Sequence, residues 1–432
     1  MGVDSYSFAS NLPSLHSLLE THMKHLPASL FPVAVLLAVA SQFSAASAAP
    51  LPAPFNDYGV DLTLMGGVSG AYNSNVLSAP GGPTKFEDYI ATFNPGLELE
   101  WGKNAVTDVT FDYTETFTRY IKHPSLNDEL SNIGLDITRK QGSLTFTGMV
   151  GFVQSATNTP SSAGLITVPG LIRSDVLSAS GNIHYDMSEK FNSNVGASWV
   201  RTSYLYSVGA AFQNSDTYTI PVSVYYVYSP ELSFGLGYTY SQTDQKNSQA
   251  APISVGRERD NHTFTLNAQL AKWQKLTGNA NVGYTINTIQ GLNAPPSQAT
   301  PGLTTGTLIY GLGLQYDYSE KVGFTLNGTR NFTTGVSGQN VENTGAGLGL
   351  IYNYSSQITL NANLITVNWS QYKQTNRDDW SKATGITLTW KPLDYMTLSA
   401  AYTYFMNSSY SSPTQTATYN QNIISLTASI HY

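Results

Sequence analysis

From Ile424 to Tyr432 apolar and polar side chains alternate without a break. Ile424, Leu426, Ala428, Ile430 and Tyr432 fall on one side and Ser425, Thr427, Ser429 and His431 on the other. A period of two is that of a β-strand with one apolar and one polar face. The same period recurs upstream as far as about Val60. Leu232, Phe234, Leu236, Tyr238 and Tyr240 alternate with Ser233, Gly235, Gly237, Thr239 and Ser241. Leu308, Tyr310, Leu312, Leu314, Tyr316 and Tyr318 alternate with Gly311, Gly313, Gln315 and Asp317. The first set of each strand is expected to face an apolar medium and the second an aqueous one.

Eight short turns, most of them beside aromatics, punctuate these strands: Trp101–Asn104, Lys140–Ser143, Met187–Lys190, Tyr228–Glu231, Trp273–Lys275, Tyr318–Lys321, Tyr354–Gln357 and Lys391–Asp394. Nine longer polar connections lie between them, near 77–86, 122–128, 157–171, 207–215, 245–258, 290–305, 335–341, 373–376 and 411–420. Together they predict an all-β chain, a transmembrane antiparallel up-and-down β-barrel of about 18 strands, with sixteen as the alternative if one hairpin is misread. Trp101, Tyr228, Trp273, Tyr318, Tyr354 and Trp390 sit beside the short turns, where amphipathic rings rest at headgroup level. At such a strand number side chains cannot fill the interior, so an aqueous channel is expected.

Composition agrees. Only 11% of residues are charged, against roughly 25% in an ordinary soluble domain, while Tyr contributes 28 residues and Gly 36. After residue 50 no run approaches the roughly 20 apolar residues of a spanning helix. The one continuous apolar run, Leu30 to Ala40, is too short to span and is followed by Ala46-Ser47-Ala48, a small-residue cleavage pattern. Residues 1–48 are therefore expected to be a signal peptide, with Met23 ahead of Lys24 and His25 as its true start. Residues 49–59 form a Pro-rich periplasmic lead, and 60–432 the outer-membrane barrel. The chain has no cysteine, which excludes disulfides and thiolate chemistry. Its formal charge is −7 without any basic block, which argues against nucleic acid as a partner.

The first predicted strand and its sequel read Ala71-Tyr72-Asn73-Ser74-Asn75-Val76, then Phe86-Glu87-Asp88-Tyr89-Ile90, then Asn94-Pro95-Gly96-Leu97. This resembles the β-barrel porin family often called type 2, whose members open with a Tyr-Asp-Ser-Asn-like segment, an Asp before the second strand and a Pro-Gly within it. Here Asn73 stands in place of the usual Asp. The resemblance would cover nearly all of the mature chain and implies an outer-membrane barrel; some members of that family are associated with exopolysaccharide export.

Candidate chemistry is sparse. The third long connection carries Leu165, Ile166 and Val168, too apolar to lie in water, which suggests an inward constriction; deleting Ser161 to Pro169 should then raise conductance. Charges gather near the outer rim in Glu115 and Arg119, in Arg257-Glu258-Arg259-Asp260 and in Arg377-Asp378-Asp379. Such charges tune ion selectivity or bind lipopolysaccharide. Asp260 and His262 share a strand face and could in principle activate water. Gly345, Gly347 and Gly349 form a GxGxG string, but a strand and not a helix follows, so they are expected to line the lumen or relieve curvature. No metal-ligand spacing or cofactor motif stands out, and the chain reads as a non-enzyme. The expected function is passive diffusion of small polar solutes, including sugars or oligosaccharides. An export conduit for polysaccharide is the alternative, and a hydrolase at the extracellular rim the second. Expected partners are outer-membrane lipid and lipopolysaccharide, further copies of the chain, and barrel-assembly machinery that reads the terminal Tyr432.

Overall fold

The computed structural model describes residues 59–79, 85–157, 171–205, 214–245, 258–290, 303–334, 340–372, 377–410 and 418–432. These residues form eighteen strands. The first nine are β1 (Val60–Asn73), β2 (Asp88–Trp101), β3 (Thr107–Tyr120), β4 (Asp128–Gln141), β5 (Leu144–Thr157), β6 (Ile172–Ser188), β7 (Phe191–Tyr204), β8 (Ser215–Ser229) and β9 (Leu232–Gln245). The others are β10 (Glu258–Trp273), β11 (Leu276–Gln290), β12 (Leu303–Asp317), β13 (Val322–Thr334), β14 (Asn340–Asn353), β15 (Ile358–Tyr372), β16 (Arg377–Leu393), β17 (Met396–Tyr410) and β18 (Tyr419–His431). Each pairs antiparallel with its chain neighbours, and β1 pairs with both β2 and β18, so the sheet closes on itself. Closure leaves no edge strand, the condition for strands to stand in hydrocarbon. The chain is a transmembrane antiparallel up-and-down β-barrel of eighteen strands, as the turn pattern predicts, and not of sixteen.

All eight short connections fall where expected, several of them built on left-handed backbone: φ is +61° at Gly142, +62° at Asn104 and +56° at Gln274. The strand ends joined by the nine long connections lie at the opposite end of the barrel, and Gly59 and Tyr432 both lie at the short-turn end. The predicted signal peptide, Pro-rich lead and constriction residues Leu165, Ile166 and Val168 lie outside the described residues.

The barrel is inside-out relative to a soluble fold. Leu236, Leu266 and Leu308 are 65%, 58% and 54% exposed, and they share the outer face with Phe234, Phe264, Val282 and Leu312. Trp101, Tyr228, Trp273, Tyr318, Tyr354 and Trp390 form an exposed girdle at the short-turn end. A second girdle of Tyr218, Tyr238, Tyr284, Tyr310, Trp380 and Tyr402 faces outward nearer the long loops. On β12 and the turn that follows it the two girdles are marked by Tyr310 and Tyr318. At ~3.4 Å per residue and a strand tilt near 40°, these stand about 20 Å apart in height, close to the ~25 Å apolar band of such barrels.

Three prolines sit within strands: Pro392 lies at the bulged end of β16, and Pro95 and Pro221 each lie at a gap in one ladder only. The β2–β3 register passes from Phe93↔Phe117 to Gly96↔Thr114, while Pro95 still faces Gly66 of β1. The β7–β8 register skips Pro221 in the same way, and Pro221 still faces Thr239 of β9. The missing N–H is thereby confined to one neighbour. Gly96 completes the first arrangement: a Cβ there would lie 2.8 Å from the Tyr113 carbonyl oxygen and 2.9 Å from Thr114 Oγ1. Gly96→Val is expected to cost about 1–3 kcal/mol through this backbone overlap. It would be read as a lower urea midpoint for the refolded barrel, and an unchanged midpoint would contradict it.

Candidate functional site: the lumen and its rim

Alternation fixes which side chains reach the lumen. On β2 the outer face takes Leu97, Leu99 and Trp101, leaving Glu98 and Glu100 inside; on β3 it takes Val109, Phe111 and Tyr113, leaving Asp108 and Asp112 inside. Asp61 of β1 lies directly opposite Glu100, and Glu98 directly opposite Asp112. Asp136 of β4 joins the same wall, two residues along from Gly134, over which the Asp112 carboxylate lies. Like charges abreast on neighbouring strands destabilise a sheet, so folding alone gives no reason for this arrangement. Lys103, in the turn below, answers part of it, with Nζ 2.7 Å from Glu100 and 3.9 Å from Asp61. Lys140 stands on the inward side of β4.

Next to the acidic wall, inward side chains of β4 to β8 line a recess of about 420 Å³. Its polar lining includes Asp136, Thr138, Ser180, Asn182 and Ser198, with Met149 as an apolar patch. On the other side of the lumen Gly345, Gly347 and Gly349 lie inward, and the side chains of Asn368, Asn327 and Thr325 fold down over them. A lumen lining is what the GxGxG string of β14 provides.

The described rim charges lie toward the long-loop end and divide between the two faces of the barrel, because adjacent residues of a strand point to opposite faces. Glu115 and Arg119 lie on the outer face of β3. Glu115 accepts hydrogen bonds from Tyr113 Oη (2.9 Å) and Ser131 Oγ (2.6 Å), and Arg119 pairs with Glu129 at 2.5 Å. In the run Arg257-Glu258-Arg259-Asp260, Arg257 lies outside the described residues. Glu258 and Asp260 point outward with His262, and Arg259 points inward and is wholly buried. Arg377 and Asp379 point inward as a buried pair, while Asp378 lies on the outer face opposite Tyr410. Asp260 and His262 share a face as expected, but it is the outside of the barrel: Tyr240 Oη donates to Asp260 at 3.0 Å, and Tyr238 Oη lies 2.9 Å from His262 Nδ1.

The motif residues prove to be loop clips. Asn73 Oδ1 accepts from the backbone N–H of Asn75 (2.9 Å) and from Gln421 Nε2 (3.0 Å). Asn75 is wholly buried; its amide bonds both ways to Ala79 and donates to the Asn420 carbonyl at 3.1 Å. Loop residues Ser74–Ala79 are thus fastened across the β1–β18 seam, with the side chains of Val76 and Leu77 among them buried. Asp88 does the same for the second loop, accepting from Tyr89 N (2.7 Å) and Lys122 N (2.9 Å) and meeting His123 Nδ1 at 2.8 Å. Beside it Lys122 and Tyr72 hydrogen-bond Glu87 and hold its carboxyl below the ordinary value. Tyr432 exchanges backbone hydrogen bonds with Leu64 at 2.7 and 2.9 Å, which places the terminal aromatic on the closing seam.

Fold and lumen together define the class: a membrane-spanning β-barrel with a polar interior. Among the described residues no group of three or more His, Asp or Glu is placed to hold a metal ion. No protein-family model matches the chain, so its likeness to the type 2 porins stands on the quoted residues alone, and no curated protein matches it. Solved structures similar to it include OpdK of Pseudomonas aeruginosa with vanillate, at 10% identity and TM-score 0.48 over 86% of this chain and 99% of that one. OccAB3 of Acinetobacter baumannii matches at 9% identity and TM-score 0.47, over 87% and 100%. The ferric-catecholate import receptor Fiu of E. coli K12 matches at 10% identity and TM-score 0.43, over 86% and 82%. Likeness at this level carries no functional assignment, and the chain's own geometry has to supply one.

Proposed function

We propose that this chain is an outer-membrane porin that passes small polar solutes by diffusion, favouring cations and hydroxylated neutral molecules over anions. The observation that carries the reading is the acidic inner wall of β1 to β4, where Asp61, Glu98, Glu100, Asp112 and Asp136 face the lumen of a closed barrel. Carboxylates set abreast at a cost to the sheet are explained by what passes them. The hydroxyl and amide lining elsewhere exchanges hydrogen bonds with hydroxylated solutes without trapping them. In this reading the short-turn end is periplasmic, and the seam-bound Tyr432 is the mark that assembly machinery reads.

The test is single-channel conductance of the refolded chain in a planar bilayer, with maltooligosaccharides of increasing length added in turn. Large, stable steps with sugar-dependent block are expected. Silence from a properly folded barrel would overturn the porin reading and turn attention to an export conduit that needs periplasmic partners.

A further inference from the structure

The ladder between β12 and β13 does not run their full length. It ends at Tyr310↔Arg330, although β12 continues to Leu303 in register with β11, and β13 to Thr334 in register with β14. Above that point the ends of β13 and β14 part from β12, while β14 stays paired with β15 as far as Val341↔Tyr372. Their destination is given by their side chains. Asn340, the first residue of β14, accepts from Arg259 Nη1 of β10 at 2.5 Å and donates to Asn287 Oδ1 of β11 at 3.3 Å. Glu342 Oε1 accepts from Thr307 Oγ1 of β12 at 2.5 Å.

In an unbroken wall β10 and β14 are four strands apart, about 19 Å at ~4.8 Å per strand. Direct hydrogen bonds between them require the end of β14 to lie inside the barrel, across the inner surface of β10 to β12. The partners confirm the side: Arg259, Asn287 and Thr307 all belong to the inward sets of their strands. The open seam is closed chemically by Arg330, which donates from Nε to the Leu308 carbonyl at 3.1 Å and from Nη2 to Glu342 at 3.0 Å. A backbone acceptor left bare at a gap in a membrane wall would cost several kcal/mol, and Arg330 supplies its partner.

We propose that the tucked end of β13 and β14 is the constriction that sets the solute size limit, held in place by a polar latch of Arg259, Asn287, Thr307, Arg330, Asn340 and Glu342. The proposal rests on the porin reading. The hairpin turns its Glu342 side to the wall, and alternation turns Thr329, Asn331, Thr333 and Asn343 to the open lumen. Thr329, Asn331 and Thr333 are exposed, and Asn343 bonds Thr333 Oγ1 (3.0 Å) and Ser370 Oγ (2.7 Å). The eyelet is therefore uncharged on this side and made of amides and hydroxyls. It suits neutral hydroxylated solutes such as short oligosaccharides, and hydrated cations that the acidic wall then draws down.

The absence of cysteine makes the test clean. Thr307→Cys with Glu342→Cys, refolded and treated with a short, reducible bis-thiosulfonate, should cross-link within one chain in high yield if the hairpin is tucked. In parallel, Arg259→Met with Glu342→Leu should release it, raising single-channel conductance about twofold and admitting longer maltooligosaccharides. Thr307→Val with Asn287→Leu, which leaves both ions in place, gives the same direction if the first variant folds poorly. No cross-link in a folded barrel overturns the tuck. A cross-link with conductance and sugar limit unchanged in the released variants overturns the constriction while leaving the porin standing. A native chain that never conducts overturns both readings, whatever the cross-link shows.

Discussion

Replacing Glu98, Asp112 and Asp136 with Gln, Asn and Asn will remove the channel's preference for cations. A cation passing ~5 Å from a carboxylate in water gains about 0.8 kcal/mol, and a Debye length near 8 Å at physiological salt roughly halves that. Three carboxylates on one wall, attracting cations and repelling anions, are then expected to shift the cation-to-anion permeability ratio on the order of tenfold. The reversal potential under a KCl gradient measures it directly. The native barrel should show a clear cation potential that fades at molar salt, where the Debye length is about 3 Å, and the triple variant should sit near zero. Equal potentials for the two barrels would remove the acidic wall from the mechanism. Because these side chains face water and already repel one another, the variant should fold at least as well as the native chain.

The second large effect concerns stability. Arg377 and Asp379 are each 3% exposed and joined by two hydrogen bonds, Nε to Oδ1 at 2.9 Å and Nη2 to Oδ2 at 2.6 Å. Arg377 Nε also reaches Ser409 Oγ at 3.1 Å, and its guanidinium lies 4.8 Å from the centre of the Tyr372 ring. Truncation to Arg377→Ala strands a buried carboxylate, a defect that costs roughly 3–5 kcal/mol. Removing both charges with Arg377→Met and Asp379→Leu leaves no buried charge unpaired and should recover most of the loss. Urea unfolding in detergent micelles, followed by tryptophan fluorescence, distinguishes the two; a single variant as stable as the double would show that the pair is not the support it looks to be.

Strand number and turn positions were legible because they rest on local rules. A period of two, interrupted by polar turns beside aromatics, survives any tertiary context, and the membrane keeps the outer face between the two girdles largely apolar. The acidic wall was equally open to reading, since Glu98 and Glu100 alternate with Leu97, Leu99 and Trp101. It was obscured by treating charge runs as units: in Arg257-Glu258-Arg259-Asp260 neighbouring residues belong to opposite faces, and in the buried pair Arg377 and Asp379 the charges cancel each other. The tuck of β14 depends on partners 35 to 81 positions away and so has only a faint local trace. That trace is polar Arg330, Asn340 and Glu342 at positions where alternation calls for lipid-facing residues. The third loop, expected to narrow the pore, lies outside the described residues, and the narrowing that can be argued comes from another hairpin.

The clip over the closing seam also bears on the order in which the barrel is made. Asn73 and Asn75 stand near the start of the barrel, yet their partners Asn420 and Gln421 lie 345 to 348 residues later. Contacts so distant in sequence form late, so in a chain delivered from its N-terminus the bonds across the seam stay unmade until the last strand arrives. A chain broken off anywhere before Tyr419 keeps them so and forfeits the bonds that bury Asn75. The opening motif thus works as a check on closure, met only by a polypeptide in which β18 has taken its place beside β1.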